Sequence, residues 1–252
     1  MHNFRCMFRV FQKTLLFTSL LLILGACQLF RSGPPEVKLN LSRKYLTEIP
    51  DYVFNMTELT ELNLHNNKLT SIPPEIKNLK NLKKLILSRN EIDSLPDEIG
   101  LLPNLEVLSL KANKIKSLPP SIGLLKNLEL LRLNFNLLTT IPPELCELDS
   151  LSHLYLQYND ITHLPEEFGQ LEGLIELFIG WNDIRELPKS FYQLPHLNTL
   201  DMAYAGANIK IEYPICLMRS IETLYIDRNT LNFAPRCLEV RANGVRFNLI
   251  LR

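Results

Sequence analysis

No apolar run in this 252-residue chain is long enough to cross a membrane as a helix. The longest, TLLFTSLLLILGA at 14–26, has 13 residues, whereas a span needs ~20. Excess charge is missing too: 27 basic residues balance 27 acidic ones. Without 1–26, which holds Arg5, Arg9 and Lys13 and no acid, the count is 24 minus 27, or −3. That balance gives no support to nucleic-acid binding, which calls for a dense basic face. The 5 cysteines include no C-x-x-C and no Cys/His cluster at metal spacing, so neither a metal nor a cofactor is expected. No linker interrupts the pattern described next, and the chain after its leader reads as one domain although its length would permit two.

What is present is a repeat. Leucine recurs at Leu59, Leu82, Leu105, Leu128, Leu151, Leu174 and Leu197, every 23 residues. Asparagine follows eight positions later at Asn67, Asn90, Asn113, Asn136, Asn159 and Asn182, and proline keeps step from Pro50 to Pro188. Each unit reads L-x-x-L-x-L-x-x-N-x-[IL]-x-x-[IL]-P-x-x-[ILF]-x-x-L-x-x. In L-x-L the side chains alternate, so Leu154 and Leu156 point inward and Tyr155 outward. One such unit cannot bury its apolar face alone, but stacked copies merge their leucines into a continuous core. The asparagine amide has both a donor and an acceptor for backbone groups that the strand no longer pairs as the chain turns. Pro-Pro-Glu at 73–75 and 142–144 and Pro-Asp-Glu at 96–98 predict a helical turn or 3₁₀ segment in each return.

These residues resemble the leucine-rich repeat family in its 23-residue form. The resemblance implies an α/β solenoid, a horseshoe with a parallel concave β-sheet and short helical or 3₁₀ turns on the convex side. It covers 37–252 in about nine coils, with a C-terminal cap at 236–252. The first coil is worn, with Lys44 in place of Asn. The eighth has Ala205 there and one inserted residue, and phase is expected to return at Ile221-Leu224-Ile226-Asn229. VRFNLILR alternates Val245, Phe247 and Leu249 against Arg246 and Asn248, which suits a closing strand over the last coil.

Residues 1–26 have the layout of a secretory signal peptide: a basic start, an apolar run, then small residues. Leu24-Gly25-Ala26-Cys27 resembles the lipobox of bacterial lipoproteins, which implies a lipidated Cys27 followed by a linker through 36. The expected location is the bacterial cell envelope, with a lipid anchor in the outer membrane or at the cell surface rather than the inner membrane. QLFRSGPPE, 28–36, extends at most ~30 Å at ~3.5 Å per residue, which keeps the solenoid near its membrane. In such a compartment disulfides persist. Cys216 and Cys237 lie 21 apart on successive coils, as a bridge or as two packed thiols, while Cys146 stands where other coils have Gly100, Gly123 and Gly169 and reads as a small packed residue.

The outward strand positions form columns on the concave face. One runs Asn66, Arg89, Ala112, Phe135, Tyr158, Trp181, Tyr204; another runs Asn63, Ile86, Ser109, Arg132, Tyr155, Phe178, Asp201, Tyr225. Arg132, Phe135, Tyr155, Tyr158, Phe178, Trp181, Tyr204 and Tyr225 therefore make a candidate ligand-binding patch, since contiguous exposed aromatics mark interaction surfaces. The competing reading is a ladder that holds adjacent strands together. Lys84, Arg89 and Lys111 lie toward one end and Asp201 and Asp227 toward the other, so the face is expected to run from basic to acidic. His153 and Glu176 share a column as a possible acid–base pair, yet no nucleophile or anion cradle accompanies them; His65, His163 and His196 do not converge. The expected function is a non-catalytic scaffold for a protein or glycan ligand, of undetermined oligomeric state. The alternatives are a self-associating structural protein of the envelope and, from LPxxIG units such as 118–123, an intracellular scaffold like the Ras-associated leucine-rich-repeat proteins.

Overall fold

The computed structural model describes residues 36–252 apart from 208, 233 and 240–247, so the expected signal peptide, the lipidated cysteine, Val245 and Phe247 lie outside the described residues. Ten parallel strands form one sheet in chain order. They are β1 (Val37–Asn40), β2 (Leu59–Asn63), β3 (Lys84–Ile86), β4 (Val107–Ser109), β5 (Leu130–Arg132), β6 (His153–Tyr155), β7 (Glu176–Phe178), β8 (Thr199–Asp201), β9 (Thr223–Ile226) and β10 (Asn248–Leu251). The strand leucines stand in register, Leu85 beside Leu108, Leu131, Leu154, Leu177 and Leu200 in turn. Between β8 and β9 the partner of Leu200 is Leu224, one residue beyond the repeat, where the sequence carries its insertion.

Each return begins at the proline. Pro73 sits at φ −75°, ψ 154°, the next proline opens the 3₁₀ helix Pro74–Asn78, and the N–H of Leu79 bonds back to the Ile76 carbonyl as the helix ends. Proline suits this start because its fixed φ is already helical and its missing N–H would have found no partner in the first turn. The same turn recurs in every coil from Asp51–Asn55 to Tyr213–Leu217. The strand leucines and one large apolar side chain from each turn, such as Ile76, Ile99, Phe168 and Phe191, pack into a single core cluster. Each is essentially excluded from water, a gain of ~1.5–3 kcal/mol per side chain. Gly123 permits close stacking of these turns, because a Cβ there would lie 2.4 Å from the Glu144 carbonyl oxygen of the next coil.

Each asparagine of the repeat ties its coil to the preceding one by two hydrogen bonds and holds its own turn by a third. In Asn113, Nδ2 donates to the Leu87 and Leu110 carbonyls at 3.0 and 2.9 Å, and Oδ1 accepts the N–H of Ile92 at 3.1 Å. Asn90, Asn136, Asn159 and Asn182 repeat this pattern, which satisfies backbone groups that no strand reaches. Asn229 departs from the expected phase. It is exposed in a short helix, Arg228–Asn232, because Asp227 caps that helix: Oδ1 accepts the Thr230 N–H at 3.0 Å and Oδ2 the Thr230 hydroxyl at 2.6 Å. A carboxylate immediately after the strand thus offers the chain a helix start where the other coils offer a ladder turn. Asp227 Oδ2 also accepts the N–H of Tyr204 at 2.7 Å, in the coil whose own asparagine is replaced by Ala205.

The C-terminal end is stapled. Cys216 and Cys237 form a disulfide with Cα atoms 6.3 Å apart, and β10 pairs in parallel with β9, packing Leu249 against the core. Cys146 is fully buried. Its thiol is pushed up to about 12, first by burial and then by Glu167, Glu144 and Glu147, so it stays protonated and unreactive.

Candidate ligand-binding face

The residue three beyond the end of each strand from β2 to β8 takes a left-handed backbone conformation, so this column lies in the turn and not on the strand positions expected from the sequence. Asn66, Arg89, Ala112, Phe135, Tyr158, Trp181 and Tyr204 all have φ between 56° and 60°. For residues with a Cβ this region costs ~1–2 kcal/mol, and asparagine or glycine is its usual occupant. Bulky rings here are therefore placed against local preference. The shared dihedral angle aims them in one direction, one above another.

The result is a stack. Phe135 lies 4.2 Å from Tyr158 at an interplanar angle of 9°, Tyr158 lies 5.3 Å from Trp181 at 11°, and Trp181 lies 4.5 Å from Tyr204 at 34°. Such contacts are worth ~0.5–1.5 kcal/mol each beyond area burial, so the three of them offset only part of the strain at four positions. Each ring is still 40–46% exposed. Because the faces are covered by neighbours, edges and hydroxyls are what the stack presents to solvent.

Tyr155 and Phe178 make a second stack in the neighbouring column, 4.8 Å apart at 9°. The Tyr155 hydroxyl donates to Glu176 at 3.0 Å, and its pKa is raised, first by burial and then by that carboxylate. Cations head both stacks: Lys111 Nζ lies 5.4 Å from the Phe135 ring centre, and the Arg132 guanidinium 5.6 Å from that of Tyr155. Tyr225 stands apart. Asp201 separates it from Phe178 in the strand register, and the Arg252 guanidinium lies 4.3 Å over its ring.

The expected acidic end is absent from the surface. Asp201 and Asp227 are each only 3% exposed. Asp201 accepts from Arg252 at 2.7 Å, and burial raises its pKa despite bonds from the Ala203 N–H and Arg252. At Asp227 burial is the largest single influence and pulls upward, but bonds from Thr230, Tyr204 and Asn229 together outweigh it and lower the pKa. Sequence alternation assigned both carboxylates to the open face. It could not show that the closing strand would deliver Arg252 onto one, or that a helix would start on the other.

At the N-terminal end a concavity of about 780 Å³ opens on the sheet face, lined by Arg43, His65, Arg89, Lys111, Arg132 and Tyr155 among others. Arg43 was not singled out from the sequence, since it lies in the worn first coil where columns are hardest to align, and His65 was weighed there only as one of three histidines that do not converge. His65 is held below its ordinary pKa, first by burial and then by Arg89 and Arg43. Lys84, on the exposed side of β3, does not line this hollow.

His153 and Glu176 are brought together at 4.0 Å, beyond hydrogen-bonding distance. Ser152 Oγ lies 2.7 Å from His153 Nδ1 and donates to the Glu129 carbonyl at 3.0 Å. With its one proton committed there, Ser152 can only accept from the imidazole, the reverse of what an activated nucleophile requires. Among the described residues no group of three or more His, Cys, Asp or Glu is placed to hold a metal, and no helix is long and apolar enough to cross a membrane.

A family model described as a leucine-rich repeat region matches residues 75–155, and a second, described as leucine rich repeat, matches 37–92 and 149–205. No curated protein matches by sequence. Among solved structures, a leucine-rich repeat protein of Leptospira interrogans is 29% identical with a TM-score of 0.65, over 84% of this chain and 64% of that one. The ectodomain of the receptor kinase GASSHO1/SCHENGEN3 from Arabidopsis thaliana, in complex with Casparian strip integrity factor 2, is 26% identical with a TM-score of 0.52, over 71% of this chain and 29% of that one. A plant peptide hormone receptor in complex with RGF2 is 24% identical with a TM-score of 0.62, over 71% of this chain and 31% of that one, a likeness of fold alone. The chain thus spans less than two thirds of the length of each.

Proposed function

Because the chain is a leucine-rich repeat protein, we propose that it is a non-catalytic scaffold that binds a protein ligand on the open face of its sheet. The observation that carries this reading is the four-ring stack Phe135, Tyr158, Trp181 and Tyr204, 40–46% exposed at backbone positions that disfavour large side chains. Large aromatics held against local preference and left in water fit an interaction surface. The two complexes named above, each a receptor with its factor or hormone, support a protein ligand by likeness of fold.

The ring contacts also favour a second reading, in which the stack serves only to tie the coils together. Tyr158→Ala and Trp181→Ala separate the two. A binding surface predicts a loss of ligand capture worth ~2 kcal/mol or more, read by titration at temperatures where the variants remain folded. A tie predicts lower melting temperatures with capture unchanged. Native mass measurement of the purified chain distinguishes either from self-association through the same rings.

The proposal extends to location: Cys27, after the basic start and apolar run of 1–26, is lipidated, and the protein is held in a bacterial envelope, at the outer membrane or cell surface. Cells given a labelled fatty acid should label the wild type and not Cys27→Ala; equal labelling would remove the anchor. Fractionation would then decide for the intracellular alternative.

A further inference from the structure

Five surface lysines of this solenoid are held by carboxylates one coil away. Lys38 pairs with Glu61, Lys77 with Glu98, Lys83 with Glu106, Lys114 with Glu91 and Lys126 with Glu147, at 2.7–3.9 Å. The concavity at the N-terminal end of the sheet face gathers cations without such pairing. Arg43, Arg89, Lys111 and Arg132 converge on it and no carboxylate lines it; among the described residues none of the four stands in an ion pair. Four charges around one hollow repel one another, and Arg89 and Arg43 add to burial in lowering the pKa of His65, which lines the same hollow. An arrangement of this kind is relieved when an anion enters.

The hollow is continuous with the rings, since Lys111 heads the long stack and Arg132 the short one. Sugars and nucleobases dock on aromatic faces, but here successive rings cover one another at 4.2–5.3 Å. Edges, hydroxyls and half-buried apolar surface suit side chains of a polypeptide better. Arginine recognises carboxylates bidentately, and the three arginines leave room for more than one.

We propose that this concavity is the docking site for the carboxylate side chains of an acidic peptide segment, whose neighbouring apolar residues lie along the stacked rings. The inference rests on the reading of the sheet face as a protein-binding surface and adds the chemistry of the partner.

The test is to pan a library of random short linear peptides on the purified full chain, then measure one selected peptide, fluorescently labelled, by anisotropy. The expected result is enrichment of Asp and Glu beside apolar residues, with affinity that falls as salt rises. The double variant Arg89→Gln, Lys111→Gln should bind about tenfold or more weakly, while Lys84→Gln, exposed on the same sheet but outside the hollow, should bind as wild type. Matching melting curves for all three chains remove folding as the cause. Peptides selected without acidic enrichment, or bound equally by the double variant, would overturn the inference and leave protein binding standing. Selection of no peptide, with retention of heparin oligosaccharides, would overturn both in favour of a sulfated glycan, and selection of no peptide with no such retention would overturn both outright.

Discussion

Truncating one amide in the middle of the solenoid should cost about as much as losing a core methylene or two. Asn136 Oδ1 accepts the N–H of Ile115 at 3.1 Å, and its Nδ2 donates to the Leu110 and Leu133 carbonyls at 3.0 and 2.8 Å. Asn136→Ala removes all three bonds, but not equally. The Leu110 carbonyl keeps Asn113 and the Leu133 carbonyl keeps Asn159, so both acceptors remain satisfied. Only the Ile115 N–H is left with no partner, and Ile115 is fully buried. One orphaned buried donor costs ~1–3 kcal/mol, and the thinner bonding at two carbonyls adds a fraction, for ~2 kcal/mol in all. Asn136→Asp keeps the acceptor and turns a second oxygen on the two carbonyls, so at neutral pH it should be no more stable than the alanine variant. Urea titrations followed by circular dichroism measure this as a shift of midpoint at constant slope. Lys114→Ala, which removes only the exposed pair with Glu91, should leave the midpoint nearly in place. Equal shifts for Asn136→Ala and Lys114→Ala would refute the ladder reasoning, and a wild-type midpoint for Asn136→Asp would refute the role given to the two donor bonds.

Opening the disulfide with Cys216→Ser should destabilise the C-terminal coils by ~3 kcal/mol, the chain-entropy value for a loop of roughly twenty residues; hydrogen exchange in β9 should rise while β4 stays protected, and uniform protection would contradict it. For Asp227 the lowered pKa gives the sign: the carboxylate adds stability above the ordinary aspartate range, and this is lost as pH falls through the folded value. Stability measured from neutral pH down to the acid range should therefore show an acid limb below about pH 4 that Asp227→Asn weakens, with a lower plateau because one acceptor is lost. Asp201, raised by burial, contributes in the opposite sense, so Asp201→Asn should reduce the stability lost as pH climbs through that group's titration.

The repeat itself carried most of the fold. A leucine every 23 residues can bury its face only against a copy of itself, so parallel in-register stacking, the proline-started 3₁₀ turns, the asparagine ladder and the one-residue slip before β9 follow from spacing and side-chain chemistry. Which side chains share the open face was legible in part: alternation assigns Arg132, Tyr155 and Phe178, whereas Phe135, Tyr158, Trp181 and Tyr204 lie past the strand ends, where alternation does not reach. How those side chains meet was not. The left-handed dihedral that turns Phe135, Tyr158, Trp181 and Tyr204 into a stack belongs to the backbone of the assembled coil. No local preference of an aromatic residue predicts it. The same holds at the ends, where the repeat fades and contacts are set by distant segments: Arg252 reaches Asp201 across 51 residues, and Arg43 and His65 join Arg89, Lys111 and Arg132 around one hollow. Spacing assigns a residue to a column and a face, but whether two charges on that face find each other depends on where the chain's ends close over it, which only the folded solenoid decides.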